Sequence, residues 1–206
     1  MEYTATIEYT KQVVRFKAPK ASLAKLLGEI IVTEPYLKTL RKHNREFRSG
    51  YGLRKYGIFR RHFMANTDRP VGSISFDRVV RQPDWLYRGP LDSDTSDRLR
   101  VLGIEDWRAW RVAHWGCRVE CNPLTSRIRW TGDRCLEVSI ETPNNIAKGF
   151  WDAVARIALD LDIYMEGEFA NRDLRLSRGR IVQEADGGLR FEYSRDRELY
   201  REVWGN

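Results

Sequence analysis

Cysteine, histidine and methionine are all scarce in this chain of 206 residues, at three of each. A small, odd number of cysteines supplies no disulfide framework and points to a reducing compartment. No apolar stretch approaches the roughly 20 residues that cross a bilayer, so no membrane-spanning helix is expected. The start, Met1-Glu2-Tyr3-Thr4, lacks the basic opening and apolar run of a signal peptide. These absences predict a soluble cytoplasmic protein without membrane association. There is no phosphate-cradling glycine loop, and no Ser–His or Cys–His pair in an identifying context. The chain therefore reads as a binding protein and not as an enzyme.

Aromatic residues, in contrast, are plentiful: seven Trp, nine Tyr and eight Phe. Each buries a large area, and their number excludes a disordered chain even though 32% of the residues are charged. The length suits one large or two small domains.

The net charge of +7 is unevenly distributed. Residues 1–115 hold 22 Lys/Arg against 13 Asp/Glu, whereas residues 116–206 hold 14 against 16. Within the first part, the 28 residues from Tyr36 to Phe63 contain nine basic residues and a single acid, Glu46. Arginine outnumbers lysine 28 to 8. The planar guanidinium fork suits phosphate, carboxylate and ring-stacking contacts better than an ammonium does.

Apolar alternation predicts strands over 3–9, 13–17, 127–131, 135–141, 180–184 and 189–193, with a further strand running through Leu161, Ile163 and Met165. Ile74 to Val80 also reads as a short strand, ended by Gln82-Pro83-Asp84. Leu23, Leu26, Leu27, Ile30 and Ile31 recur at helical spacing after Ser22, and a basic helical stretch follows from Tyr36 to about Phe47. Asp92 to Asp97 reads as a polar loop, and 104–112 as a helix pressing Trp107 and Trp110 onto a sheet. A helix capped by Pro143-Asn144-Asn145 carries Phe150, Trp151, Val154, Ile157, Ala158 and Leu161. Asp186-Gly187-Gly188 marks a hairpin, and a short helix spans Asp196 to Val203. The expected class is α+β, mainly antiparallel sheets with helices packed on one face.

Three segments carry a family resemblance: 74–87 (ISFDRVVRQPDWLY), 107–116 (WRAWRVAHWG), and Ile140-Glu141-Thr142-Pro143 through the helix at 147–159 to Glu166-Gly167-Glu168. Over roughly Ser73 to Gly188 the chain resembles the YubB-like proteins of conjugative plasmids and phages. Two departures stand out: Cys117-Arg118-Val119 follows Trp115-Gly116 where the family continues with a Thr-Lys-Trp run, and Arg81-Gln82 precedes Pro83 where it has an apolar pair. The resemblance implies a ferredoxin-like carboxyl-terminal domain over 116–206, joined to a basic amino-terminal α+β part over 1–115. It also implies a mobile-element accessory protein acting in a bacterial host cell, with counter-defence as one such role.

The basic segment holds the candidate nucleic-acid-binding residues. Lys38, Arg41, Lys42, Arg45 and Arg48 recur at spacings of three to four along the expected helix. Arg54, Lys55, Arg60 and Arg61 follow, interleaved with Tyr51, Tyr56, Phe59 and Phe63. Cations neutralise phosphates, and aromatic faces stack on unpaired bases, so single-stranded or structured RNA is preferred over duplex DNA. A solvated basic face with aromatics in the core would look the same in sequence. An acidic surface on a host protein or nucleoprotein complex would also satisfy these residues.

Two other groupings carry chemistry in principle. His114, Cys117, Cys121 and Cys135 have the composition of a zinc site. Their spacing is irregular and a paired second knuckle is missing, so no metal or other cofactor is expected. Glu137, Glu141, Asp160, Asp162, Glu166 and Glu168 could serve acid–base chemistry or a divalent cation. Most fall on the polar side of alternating strands, where charge is ordinary. Trp85, Trp107, Trp110, Trp115 and Trp151 are expected in the core and at the junction of the two parts.

Overall fold

Six strands form one antiparallel sheet in the computed structural model, which describes residues 8–50, 69–83, 85–86, 93–173 and 177–205. For residues 43–50 the helical backbone alone is described. The strands are β1 (Tyr9–Lys17), β2 (Arg127–Gly132), β3 (Cys135–Pro143), β4 (Tyr164–Asn171), β5 (Arg178–Gln183) and β6 (Leu189–Tyr193), in the spatial order β2-β3-β1-β4-β5-β6. Among the described residues there are seven helices: α1 (Lys20–Ile30), α2 (Glu34–Gly50), α3 (Phe76–Val79), α4 (Ser93–Val101), α5 (Trp107–Trp115), α6 (Lys148–Asp160) and α7 (Arg197–Trp204). The protein is α+β.

The central strand comes from the amino-terminal part. Val14 of β1 lies opposite Val138 of β3 on one side and Gly167 of β4 on the other. The sheet thus crosses the division expected at 115/116, and so does the core. Leu23, Leu26 and Ile30 of α1 share one apolar cluster with Phe150, Trp151 and Val154 of α6. Full burial of each such side chain contributes about 2 kcal/mol.

Strand alternation sorts the two faces. On β1, Val14 and Phe16 point into the main core beside buried Thr10 and Gln12, while Lys11, Val13, Arg15 and Lys17 occupy the opposite face. α1 and α6 cover the first face. The short α7 packs on the second, where Leu199 and Val203 meet Val13 and Ala170.

Several local expectations need correction. The residues of 3–9 before Glu8 lie outside the described residues, and Tyr9 to Gln12 continue into one strand with Val13–Lys17. Ile74–Val80 is not a strand: Ile74 makes a single bridge to Ile31, and the chain then turns into α3. Ser75 Oγ caps that turn by accepting from Arg78 N, and Glu120 Oε1 accepts from Asp77 N. Both bonds favour helix over an extended chain. Residues 93–97 open α4 and are not a loop, because Thr95 and Leu99, four apart, are buried. The Pro143-Asn144-Asn145 cap is absent; Ala147 precedes α6 without a side-chain cap, and its N–H donates to Gln12 Oε1 from β1 (2.9 Å). α5 rests chiefly on α6 and not on the sheet, and Trp110 meets His114 and Trp115 of its own helix. Trp110, Trp115 and Trp151 are buried, and Trp85 and Trp107 border the core.

Candidate nucleic-acid interface

α2 begins where Thr33 Oγ1 accepts from Tyr36 N (3.3 Å), an N-cap contact, with Glu34 favourable in the first turn. Leu37 and Leu40 are buried, whereas Lys38, Arg41 and Lys42 are exposed. At 3.6 residues per turn, positions 38, 41, 42, 45 and 48 fall within an arc of about 120°. Over the residues whose side chains are described the helix is therefore amphipathic, with Leu37 and Leu40 buried and Lys38, Arg41 and Lys42 outward.

A polar network anchors the start of α2. Tyr36 Oη donates to Asp77 Oδ2 (3.2 Å), and the Arg78 guanidinium lies 5.2 Å from the centre of the Tyr36 ring. Arg78 also donates to the carbonyls of Gly28 (2.6 Å) and Glu29 (2.9 Å), and to Thr33 Oγ1 (3.3 Å). It thereby satisfies carbonyls at the end of α1, where a cation is favourable, while tying them to the first turn of α2.

Asp77 itself is buried. Burial pushes its carboxyl up to about 6, the nearby Glu120 charge adds to the rise, and Gln82 N–H, Arg111 and the Tyr36 hydroxyl oppose it. Tyr36 is raised in turn, by burial first and then by Asp77 and Glu120. Glu120 pairs with Arg69 (2.9 Å) and accepts from Ser75 Oγ (3.0 Å). Behind them Arg111, fully buried, donates to Gln82 Oε1 (2.6 Å) and lies 4.3 Å and 4.9 Å from the ring centres of Trp115 and Trp107. The acids are enclosed and hydrogen-bonded on several sides, so this network positions helices.

Tyr51, Arg54, Lys55, Tyr56, Arg60 and Arg61 lie outside the described residues, as do Phe59 and Phe63. The backbone at Arg45 and Arg48 continues α2. Of the candidate residues, Lys38, Arg41 and Lys42 are therefore those whose side chains the structure brings together on one exposed face.

The possible zinc ligands do not converge. His114 stacks on Trp110 with ring centres 4.1 Å apart, and its Nδ1 lies 2.8 Å from Trp110 O. The Cys117 thiol donates to Val119 O and the Cys121 thiol to Ile74 O. Cys135 sits at the start of β3 opposite Lys17. Among the described residues no group of three or more His, Cys, Asp or Glu side chains is arranged to hold a metal ion.

Glu137, Glu166 and Glu168 of the strands form ion pairs. Arg15 bridges Glu137 (3.2 Å) and Glu168 (2.8 Å), Arg129 also reaches Glu137 (2.9 Å), and Lys17 pairs with Glu166. The side-chain hydrogen bond from Lys17 lowers Glu166 below the usual carboxylate range. Sequence reasoning placed most of these acids on the polar side of the strands but missed the cationic row that pairs with them. Its signal was the run Lys11-x-Val13-x-Arg15-x-Lys17, which places three cations on one side of a strand.

Comparison with protein-family models, curated proteins and solved structures gives no match. Among the described residues no helix is long and apolar enough to cross a membrane.

Proposed function

We propose that this protein binds nucleic acid through the outward face of α2, with single-stranded or structured RNA preferred over duplex DNA, and catalyses no reaction on it. The observation that carries this reading is the exposed cation row Lys38, Arg41 and Lys42, backed by buried Leu37 and Leu40. A helix anchored on its apolar edge holds several cations at fixed spacing, which suits contacts to successive phosphates.

The strand order β4-β1-β3-β2, with helices in the β1–β2 and β3–β4 crossovers, supports reading these four strands as a ferredoxin-like unit that includes β1. Together with the resemblance to YubB-like proteins, this supports a mobile-element accessory role in the cytoplasm of a bacterial host.

A second reading is a modulator that binds a host protein or nucleoprotein complex. It is favoured by Val101 and Leu102 at the end of α4, which are 85% and 55% exposed. Apolar side chains left in water suit a protein partner better than a phosphate backbone.

Titration of the full chain against labelled single-stranded RNA, single-stranded DNA and duplex DNA at two salt concentrations tests the first reading. Salt-sensitive binding that disappears in the combined Lys38→Ala, Arg41→Ala and Lys42→Ala variant, with the circular dichroism spectrum unchanged, is the expected result. No binding at low salt would overturn it and leave the protein-partner reading.

A further inference from the structure

A groove of about 540 Å³ lies on the face of the sheet opposite α1 and α6, between α7 and the edge strand β2. Its floor is formed where β1 and β3 pair, with Ser139 directly across from Val13 on one side and from Arg127 of β2 on the other.

The Ser139 hydroxyl is the telling group. The residue is 8% exposed, and its Oγ has no hydrogen-bond partner among the described residues. A buried hydroxyl with a donor and two lone pairs left unused is unfavourable unless something else satisfies it. Ser139 is one of the residues that line the groove, and its buried hydroxyl lies beneath that floor.

The β2 wall presents two exposed guanidinium groups on the same side of the strand, Arg127 and Arg129. Arg127 is tied to Leu124 O through Nη1, and Arg129 to Glu137 through Nη2. Each guanidinium has five N–H donors, so both retain donors for a ligand. Lys11 and Arg15 add positive charge from β1, against Glu137 and Glu202. Glu137 already bridges Arg15 and Arg129, so the lining carries more cation than acid. Val13 and Val203 supply an apolar flank, and the volume falls within the roughly 300–1,000 Å³ typical of small-molecule sites.

We propose that this groove binds a small molecule bearing an oxyanion, phosphate or carboxylate, held by Arg127 and Arg129 and hydrogen-bonded to Ser139 Oγ. Forked guanidinium contacts to oxyanions are short and strong, and the hydroxyl fixes orientation. The site lies on the opposite face of the sheet from α1 and α6, and it does not rest on the nucleic-acid reading.

Isothermal titration of the full chain with inorganic phosphate, adenosine monophosphate and citrate tests the site. Saturable binding by at least one probe is expected; the nucleotide or citrate as the tighter probe assigns the oxyanion as phosphate or carboxylate. Arg127→Ala and Arg129→Ala should each weaken binding about tenfold, the loss of one charge-assisted hydrogen bond. Ser139→Ala should weaken binding several-fold while leaving the urea midpoint unchanged or higher, because it removes an unsatisfied hydroxyl. The Lys38→Ala, Arg41→Ala and Lys42→Ala variant should bind the probe normally. Absence of saturable binding by all three probes would overturn the proposal. So would equal affinity in native, Arg129→Ala and Ser139→Ala proteins, or a loss that follows the α2 variant instead.

Discussion

The side-chain amide of Gln12, at the centre of the sheet, accepts a hydrogen bond from the indole of Trp151 (Nε1 to Oε1, 2.9 Å). The same oxygen accepts from Ala147 N (2.9 Å), and Gln12 Nε2 donates to Thr142 Oγ1 (2.7 Å). One buried amide therefore joins β1, the end of β3 and the start of α6. Gln12→Leu should destabilise the protein by about 3 kcal/mol, because it leaves a buried indole N–H and a backbone N–H unpaired. Urea unfolding followed by tryptophan fluorescence measures this, and a change below about 0.5 kcal/mol would show the network to be dispensable.

Asp77 makes stability depend on pH in an unusual direction. Its carboxyl ionises near 6 in the folded chain, against an ordinary value of 3.8. Between those values the folded state holds the proton and the unfolded state has released it. Stability from this group is therefore greatest below pH 4 and falls as pH rises to about 6, by about 2–3 kcal/mol. Asp77→Asn should flatten that stretch of the profile, measured by thermal unfolding across pH 4 to 7. The side chain faces Tyr36, Glu120 and Arg111, none of which the substitution removes. An identical slope in native and variant proteins would remove Asp77 as the cause.

The end of α5 and the start of α6 meet through two glycines. Gly116 closes α5 with φ 87°, and a Cβ there would stand 2.6 Å from Ile146 O. A Cβ at Gly149 would collide with the His114 carbonyl. Gly149→Ala should therefore cost about 3 kcal/mol despite the higher helix propensity of alanine, because the neighbouring atoms are backbone and cannot rotate away. A higher melting temperature for Gly149→Ala would mean that the two helices part easily.

The three cysteines should differ in reactivity. Burial pushes the Cys117 thiol up to about 12 and the Cys121 thiol up to about 11, so neither offers thiolate at neutral pH. Cys135 is partly exposed at the start of β3. Iodoacetamide at pH 8 should add one group to the native protein, at Cys135, and three to the urea-unfolded chain, as read by mass spectrometry. Native labelling of Cys117 or Cys121 would show that the cluster around Trp115 opens.

Where local pattern and burial agreed, the elements were legible. The Leu136-Val138-Ile140 alternation and the Phe150-Trp151-Val154 stripe became β3 and α6, and the Asp186-Gly187-Gly188 turn joins β5 to β6. The pattern misled where polar residues are buried with partners. Thr10 and Gln12 interrupt the apolar alternation, yet both are buried in β1, satisfied by Asn171, Thr142, Ala147 and Trp151. The apolar run Ile74–Val80 reads as a strand until Glu120, 43 residues beyond Asp77, draws its backbone into a turn. Of the basic segment, the spacing of Lys38, Arg41 and Lys42 was legible as one helical face. That Leu37, Leu40 and Tyr36 hold this face outward was not, since it depends on Asp77 and Arg78.

By itself the sequence determined the α+β class, the position of most strands and helices, and the concentration of positive charge between Tyr36 and Phe63. These follow from local periodicity and composition, which short segments express without reference to the rest of the chain. Tertiary structure decided that β1 lies between β3 and β4, that Arg15 joins Glu137 to Glu168, and that Ser139 floors a groove between Arg127 and α7. Each joins residues more than ten positions apart, most of them more than a hundred, and such pairings arise from burial and strand register, which local periodicity does not encode.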